Sequence, residues 1–167
     1  TLRGEISSFS GNSTVTARGI EYGLTASYGD VLSSSVPSNY SYEKEWGSAG
    51  TASGQFNLPS SIATNNLGQV YVADRTNSTI QKFGSQGNFI AKWGSIGSSD
   101  GQFSELGIGG VAIDSDGNVY VSDWKTARVQ KFDSSGNFIT KWGSVGGSNG
   151  QFLSGPMGLA VDSSNNV

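Results

Sequence analysis

Cysteine and histidine are both missing from the 167 residues of this sequence. Without cysteine the fold can form no disulfide, and the redox state of its compartment leaves no mark on the sequence. Without histidine it lacks the commonest metal ligand and the side chain whose charge changes nearest to neutral pH. A reaction that depends on a histidine-held metal therefore needs residues from outside this sequence.

Charged residues are scarce, at 14% of the sequence, and 13 acids outnumber 10 bases. Nucleic-acid affinity comes mostly from clustered Lys and Arg that neutralise phosphates, and the basic residues here are dispersed. The net charge of -3 therefore predicts no nucleic-acid partner.

Long apolar runs are missing as well. None reaches the roughly 18 residues that a membrane-spanning helix needs, so we predict no membrane span in this segment. Thr1 is followed by no basic-then-apolar signal pattern. Because the first residue is not methionine, we expect the gene product to begin upstream, and export stays open.

Glycine, by contrast, is abundant, with 25 residues, and Ser, Thr and Asn fill much of the remainder. This mixture favours turns and short strands over helices. The hydrophobic content of 35% and the aromatic content of 11% suffice for a packed core. We therefore predict a backbone that is almost entirely β.

The sequence repeats itself. GNFIAKWGSIGSSDGQF at 87–103 returns as GNFITKWGSVGGSNGQF at 136–152, which is 49 positions later. Spacings of 47 and 49 residues separate Trp46, Trp93 and Trp142, and the same two spacings separate Phe56, Phe103 and Phe152. A fixed period of this length is the signature of a repeat architecture.

Alternation and turn signals place four strands in each period. The predicted first strands are 62–64, 111–114 and 159–162, and the second are VYVAD at 70–74 and VYVSD at 119–123. TIQKF at 79–83 and RVQKF at 128–132 form the third strands, and 88–94 and 137–143 the fourth. A terminal strand of a preceding unit is predicted at 42–47.

This pattern resembles the NHL-repeat group of six-bladed β-propellers over roughly residues 40–167. The shared features are the Gly-Gln-Phe triplets, the Pro-x-Gly-apolar-Ala element at 156–160, the strand-ending Asp74 and Asp123, and the Lys-Phe of strand three. The sequence also departs from the family, because Ser61 stands where Gly is usual and Ile108 replaces Pro. After Asp74 the family's Asn is Asn77 and its Arg is Thr79, whereas after Asp123 the Arg is Arg128 and the Asn is Thr126.

The resemblance implies that each unit is one blade, which is buried only against its neighbours. The sequence contains two full units and parts of two others, which is fewer than the six blades of that group. We therefore expect this chain to be a fragment of a longer sequence, with further blades of the same chain as its partners.

Residues 1–39 differ in character from the repeats. TVTARGIEYGLTASYGDVLSS at 14–34 alternates like a strand pair and resembles the closing half of fibronectin type III-like or immunoglobulin-like sandwiches of microbial surface proteins. The predicted fold is thus all-β, with a partial β-sandwich and linker at 1–39 and a partial β-propeller of four-stranded antiparallel blades at 40–167.

Two acidic patterns invite a chemical interpretation. DSDGN at 114–118 resembles the start of a calcium loop, but it lacks the distal acid, and its counterparts NNLGQ and DSSNN have lost the alternating acids, which favours a hairpin turn. Asp74 and Asp123 could serve as paired catalytic acids. Because one Asp ends the same strand in each unit, we expect them instead to accept backbone N–H bonds.

Aromatic side chains could stack on sugars or bases. Their repeated spacing favours packing between blades. This interpretation covers Trp46, Trp93, Trp142, Phe56, Phe103 and Phe152, together with Phe83, Phe89, Phe132 and Phe138.

Residues that break the repeat are the better candidates for ligand contact, because loops carry binding on a rigid framework. Arg75, Trp124, Lys125 and Arg128 are such residues, in the connections between second and third strands. An aromatic anchor beside a lysine is typical of contact surfaces, although an ordinary exposed loop is the alternative.

The leading hypothesis is a non-catalytic binding or scaffolding propeller of an exported or cell-surface protein, with a protein or glycan ligand and no cofactor. The alternative is part of a metal-dependent lyase or lactone hydrolase, an activity known among similar propellers, with its active-site residues outside this fragment. Some relatives bind single-stranded RNA on a basic face, which the dispersed charge here disfavours.

Overall fold

The computed structural model describes residues 44–167, in which ten β-strands and no helix occur. The sandwich predicted at 1–39 lies outside the described residues. Trp46–Val167 form a compact unit. The strands are β1 Ser48–Ala49, β2 Gln55–Phe56, β3 Pro59–Thr64, β4 Val70–Asp74, β5 Thr79–Phe83, β6 Phe89–Trp93, β7 Ile108–Ile113, β8 Val119–Asp123, β9 Arg128–Phe132 and β10 Phe138–Trp142.

Eight of these strands form two antiparallel sheets of four, each in simple chain order. We call β3-β4-β5-β6 blade A and β7-β8-β9-β10 blade B. Every connection within a blade is a short hairpin. Gly or Asx residues occur in all of these turns except the one between β8 and β9, where Ala127 adopts the positive φ. This confirms the predicted fold class for the described residues: all-β, with four-stranded antiparallel blades.

The middle strands of both blades have the predicted bounds. The first strands begin earlier than predicted, at Pro59 and Ile108. A β-bulge lies near each start, and pairing with the second strand continues on its N-terminal side. The predicted strand at 159–162 is wrong: no described segment pairs with it as β4 pairs with β3. The segment 44–47, predicted as strand, is also not paired; β1 follows it.

The β7–β8 turn and the turn at 162–166 are each held by an Asp side chain. Asp114 Oδ1 accepts the backbone N–H groups of Asp116 at 3.0 Å and Asn118 at 2.7 Å. Asp162 repeats this arrangement with Ser164 and Asn166, at 2.8 Å each. The DSDGN segment is therefore a hairpin turn whose first carboxylate bonds within the turn.

The core lies between the two blades. Side chains alternate along each strand, so Tyr71 and Ala73 of β4 face blade B, while Val119 and Val121 of β8 face blade A. The other members of this buried layer are Ile80, Phe103, Ile108, Val111 and Phe132. Val70, Val72 and Phe83 form a second, smaller cluster on the other side of blade A.

The aromatic side chains at repeated positions pack in the same way in both blades. Ring centroids lie 6.3 Å apart in Trp46–Phe83 and 6.2 Å apart in Trp93–Phe132. The distances are 5.7 Å in Phe56–Phe83 and 5.8 Å in Phe103–Phe132. Trp46 and Trp93 thus come from the segment or strand before a blade and pack on that blade, whereas Trp142 packs on Tyr120 within blade B.

Candidate functional site

The connectors between blades share one geometry. In each, the residue three positions after Trp lies beside the Phe of the Gly-Gln-Phe triplet in a parallel bridge: Ala49 with Phe56, Ile96 with Phe103, and Val145 with Phe152. The triplet glutamine closes the loop with its own side chain. Gln102 Oε1 accepts the Ser99 N–H at 3.2 Å, and Gln102 Nε2 donates to Ser95 Oγ at 3.3 Å.

Asp74 and Asp123 tie these connectors to the strand ends. Asp123 Oδ2 accepts the Ser104 N–H at 2.8 Å, and Oδ1 accepts the Thr126 N–H at 3.4 Å. Asp74 accepts N–H groups from Asn57 at 2.9 Å and Asn77 at 3.2 Å. Both carboxylates are fully buried, so they bond backbone groups of the framework and offer no exposed oxygen to a ligand.

Arg128, a candidate contact residue in the sequence, is not part of an exposed loop. It is the first residue of β9 and only 6% exposed. Its Nη1 donates to the Ser98 carbonyl at 2.7 Å and its Nη2 to the Gln102 carbonyl at 2.8 Å. The guanidinium also lies 3.7 Å from Asp123. These bonds join it to the connector between the blades.

Arg75, Trp124 and Lys125 come together at one edge of the two blades. Arg75 Cζ lies 5.7 Å from the centroid of the Trp124 ring, and Lys125 Nζ lies 5.8 Å from it. Arg75 Nε and Trp124 Nε1 both donate to the Leu106 carbonyl, at 2.8 and 3.0 Å. We call this the Arg75–Trp124–Lys125 patch: two cations beside one indole, fixed by a shared acceptor.

Exposed apolar side chains border the patch. Gly155 lies against the backbone of Trp124, so closely that a Cβ on Gly155 would meet the Trp124 carbonyl oxygen at 1.7 Å. Two residues to either side, Leu153 is 85% exposed and Met157 is 59% exposed. The patch therefore combines positive charge with apolar surface, as protein contact surfaces do.

Two further observations concern metal-ligand groups and membrane-spanning helices in the described residues. Within 44–167, no three Asp or Glu side chains converge in a way that could hold a metal ion. That part of the chain also contains no helix long and apolar enough to cross a membrane.

A model of the NHL repeat family matches residues 56–83 and 107–132. The first match ends with β5 and the second with β9, so both stop at the same position of their blade. Two segments of the chain, one in each blade, thus match the NHL repeat model. Among curated proteins, none matches the sequence.

Several solved structures resemble the chain. They include regucalcin, a calcium-binding protein from Agrobacterium tumefaciens strain C58, with 19% identity and a TM-score of 0.40 over 52% of this chain and 30% of that one. Virginiamycin B lyase from Staphylococcus aureus has 15% identity and a TM-score of 0.40, over 50% of this chain and 26% of that one. AztD from Citrobacter koseri has 13% identity and a TM-score of 0.39, over 50% of this chain and 22% of that one. The chain thus spans less than a third of each of these proteins.

Proposed function

We propose that these NHL repeats belong to a binding or scaffolding β-propeller and that the Arg75–Trp124–Lys125 patch is its ligand contact. The observation that carries this proposal is the placement of two cations around a half-buried indole, beside exposed Leu153 and Met157. Such a surface suits an acidic segment of a partner protein, whose carboxylates would pair with the cations. An acidic glycan is the second ligand class that it suits.

A difference in hydrogen bonding between buried residues and the exposed Lys125 supports the patch as the ligand contact. Asp74, Asp123 and Arg128 are buried and hydrogen-bond backbone groups of this chain. Lys125, by contrast, is exposed and donates no hydrogen bond within the described residues. Ligand-binding groups are expected on loops that a rigid scaffold holds in place.

We also propose that further blades cover both outer sides of the two blades. Ile62 and Val111 hold equivalent positions, yet Val111 is 5% exposed against blade A and Ile62 is 64% exposed. Val70 and Val72 are likewise the counterparts of Val119 and Val121, which pack between the blades. A preceding blade of the same kind would bury Ile62 as blade A buries Val111.

We place the whole protein outside the cell or on its surface, because a low-charge exterior rich in Ser, Thr and Gly suits that setting. Fractionation of the full-length protein tests this part: recovery in the cytosol overturns it. Metal analysis of the same protein addresses the enzyme alternative. Stoichiometric zinc or calcium would favour a lyase or lactone hydrolase over a binding protein.

The contact itself is tested with an array of acidic peptides and glycans. We expect Trp124→Ala and Lys125→Ala each to weaken the binding of the best acidic peptide about tenfold, as loss of a central contact residue does. Lys92→Ala is the matched control, since Lys92 is also exposed but bonds the Thr51 carbonyl away from the patch. Equal loss in all three variants, or binding without charge preference, overturns the proposal.

A further inference from the structure

The sequence contains one Asn-Gly pair, Asn149–Gly150, and it lies in the connector that follows blade B. We call residues 143–152 the third connector. Asn149 and Gly150 are both exposed, and they are the central residues of a β-turn that the Gln151 N–H closes on the Ser148 carbonyl at 3.0 Å. The Asn149 side chain forms no hydrogen bond with any described residue, so solvent reaches it freely.

An asparagine followed by glycine is open to a ring closure along the main chain. When hydroxide removes its proton, the glycine amide nitrogen attacks the asparagine Cγ, the bond from Cγ to the side-chain nitrogen breaks, and ammonia leaves. Water then opens the resulting succinimide at either carbonyl carbon, which gives aspartate or isoaspartate. The attack is intramolecular, so its rate depends on how readily the nitrogen approaches Cγ. Glycine favours this approach because it has no Cβ in the way.

The second connector, residues 94–103, holds the equivalent glycine nitrogen in place. Here the pair is Asp100–Gly101, and the Gly101 N–H donates to Oε1 of Gln130 in β9 at 2.9 Å. Arg128 of the same strand donates to further carbonyls of this connector. The nitrogen must therefore leave Gln130 before it can attack the neighbouring side chain, and the partly buried bond opposes that step.

The first connector, residues 47–56, has the same protection, whereas the third lacks it. The Gly54 N–H donates to Gln81 Oε1 at 2.8 Å. No residue of 44–167 accepts the Gly150 N–H. Gly54 and Gly101 are half-buried, and Gly150 is exposed. The three glycines have nearly the same φ, between +75° and +77°, so the difference lies in hydrogen bonding and exposure rather than in the backbone.

We propose that Asn149 is a site of spontaneous deamidation in this chain, and that Gln130 protects the equivalent position of the second connector. The reaction takes only water and hydroxide from the solvent. It also distinguishes Asn149 from the Asp-Gly pair at 116–117, because the Gly117 N–H donates to the Asp114 carbonyl at 3.0 Å. The site does not depend on the ligand contact proposed above.

The two products differ in their effect on the connector. Aspartate is the residue that the repeat has at Asp100, where it pairs with Lys141, so this product fits the fold and adds one negative charge. Isoaspartate adds a methylene group to the main chain inside the turn and so loosens it. A following blade with a glutamine at the Gln130 position would hold the Gly150 N–H as well, and this consequence alone rests on the further blades proposed above.

The test is incubation of the purified 167-residue chain in mildly alkaline buffer, followed by peptide mass mapping and labelling with isoaspartyl methyltransferase. We expect Asn149 to deamidate at least about tenfold faster than any other asparagine of residues 44–167. Asp100→Asn supplies an internal comparison, because it places an Asn-Gly pair in the second connector. In that variant, position 100 should react at least about tenfold more slowly than Asn149.

The role of Gln130 is tested in the same background. Gln130→Leu added to Asp100→Asn should raise the rate at position 100 about fivefold or more, because the Gly101 N–H is released. Val111→Ala is the matched control, since it removes buried methyl groups of β7 and leaves the bond to Gly101. Circular dichroism checks that each variant is folded. Equal rates at positions 100 and 149 in Asp100→Asn, or an Asn149 no faster than the other asparagines, overturns the proposal.

Discussion

The Gln81 side chain in β5 donates from Nε2 to the carbonyl oxygen of Gln55 at 2.6 Å. Its Oε1 accepts the Gly54 N–H at 2.8 Å. One buried side-chain amide therefore bonds two backbone groups of the connector, the Gly54 N–H and the Gln55 carbonyl. Gln130 repeats this with Gln102 and Gly101, at 2.7 and 2.9 Å. The strand-three glutamine thus fastens each connector to the next blade.

Replacing Gln130 with Leu should lower the free energy of unfolding by about 1 to 3 kcal/mol, because it leaves the partly buried Gly101 N–H unpaired and removes one of the two donors to the Gln102 carbonyl, the other being Arg128. Urea denaturation of the 167-residue chain measures this. Gln151→Ala removes an exposed connector glutamine and should cost less than about 1 kcal/mol. Equal costs in the two variants would contradict the fastening role of Gln130.

Gly94→Ala should be far more damaging than Gly101→Ala. Both glycines have a positive φ, +96° and +77°, which costs an alanine about 1 kcal/mol. A Cβ on Gly94 would also lie 2.7 Å from the Ser78 carbonyl oxygen and 2.8 Å from the Phe103 ring, whereas the nearest atom to one on Gly101 is 4.0 Å away. We expect at least 2 kcal/mol more destabilisation in Gly94→Ala by urea titration; a smaller difference would mean that the connector is looser than described.

Stability should fall in acid partly through Asp114. Burial raises the pKa of this carboxyl, but hydrogen bonds from Asn118 and Tyr120 and the charge of Lys131 outweigh burial, so the pKa lies below its ordinary value of 3.8. A carboxyl whose pKa is lower in the folded state stabilises the fold above its unfolded pKa, and this stabilisation is lost as the pH falls through the folded pKa. Unfolding free energies of Asp114→Asn should therefore change less with pH below about pH 4 than those of the parent. Identical slopes would show that Asp114 contributes nothing.

Ile62 and Val111 should respond differently to truncation in this chain and alike in a longer one. Val111→Ala removes buried methyl groups and should cost about 2 kcal/mol, while Ile62→Ala at an exposed position should stay within about 0.5 kcal/mol. In a longer product with a preceding blade, the cost of Ile62→Ala should rise to at least about 2 kcal/mol. An unchanged cost there would contradict the proposed blade beside Ile62.

Much of the fold follows from local pattern. The Val-Tyr-Val segments alternate between two buried sides and are closed by Asx and Gly turns, so β4, β5, β8 and β9 could be predicted to the residue. The starts of β3 and β7 could not, because a bulge depends on how the partner strand tolerates the extra residue. The strand predicted at 159–162 failed for a related reason: apolar residues form a strand only where another strand pairs with them.

The candidate sites were less predictable than the strands. Arg75 and Trp124 are equivalent positions of adjacent repeats, so their neighbourhood follows from the period, but their shared acceptor, the Leu106 carbonyl, does not. In the sequence, Arg128 follows a loop and has the charge expected of a ligand contact. Its hydrogen bonds to the Ser98 and Gln102 carbonyls, which join it to the connector, depend on the three-dimensional structure. Gln81 and Gln130 were missed, although their recurrence before Lys-Phe was the available signal.

The most direct test of the blade architecture is the proton–proton distance between the Trp93 and Phe132 rings in the 167-residue chain. Their centroids lie 6.2 Å apart, with Trp93 ending blade A and Phe132 inside blade B. Two separate sheets packed face to face predict strong nuclear Overhauser effects between these rings and no hydrogen bonds between β6 and β7. Absence of the ring contact, or a ladder joining β6 to β7 in one continuous sheet, would contradict the account.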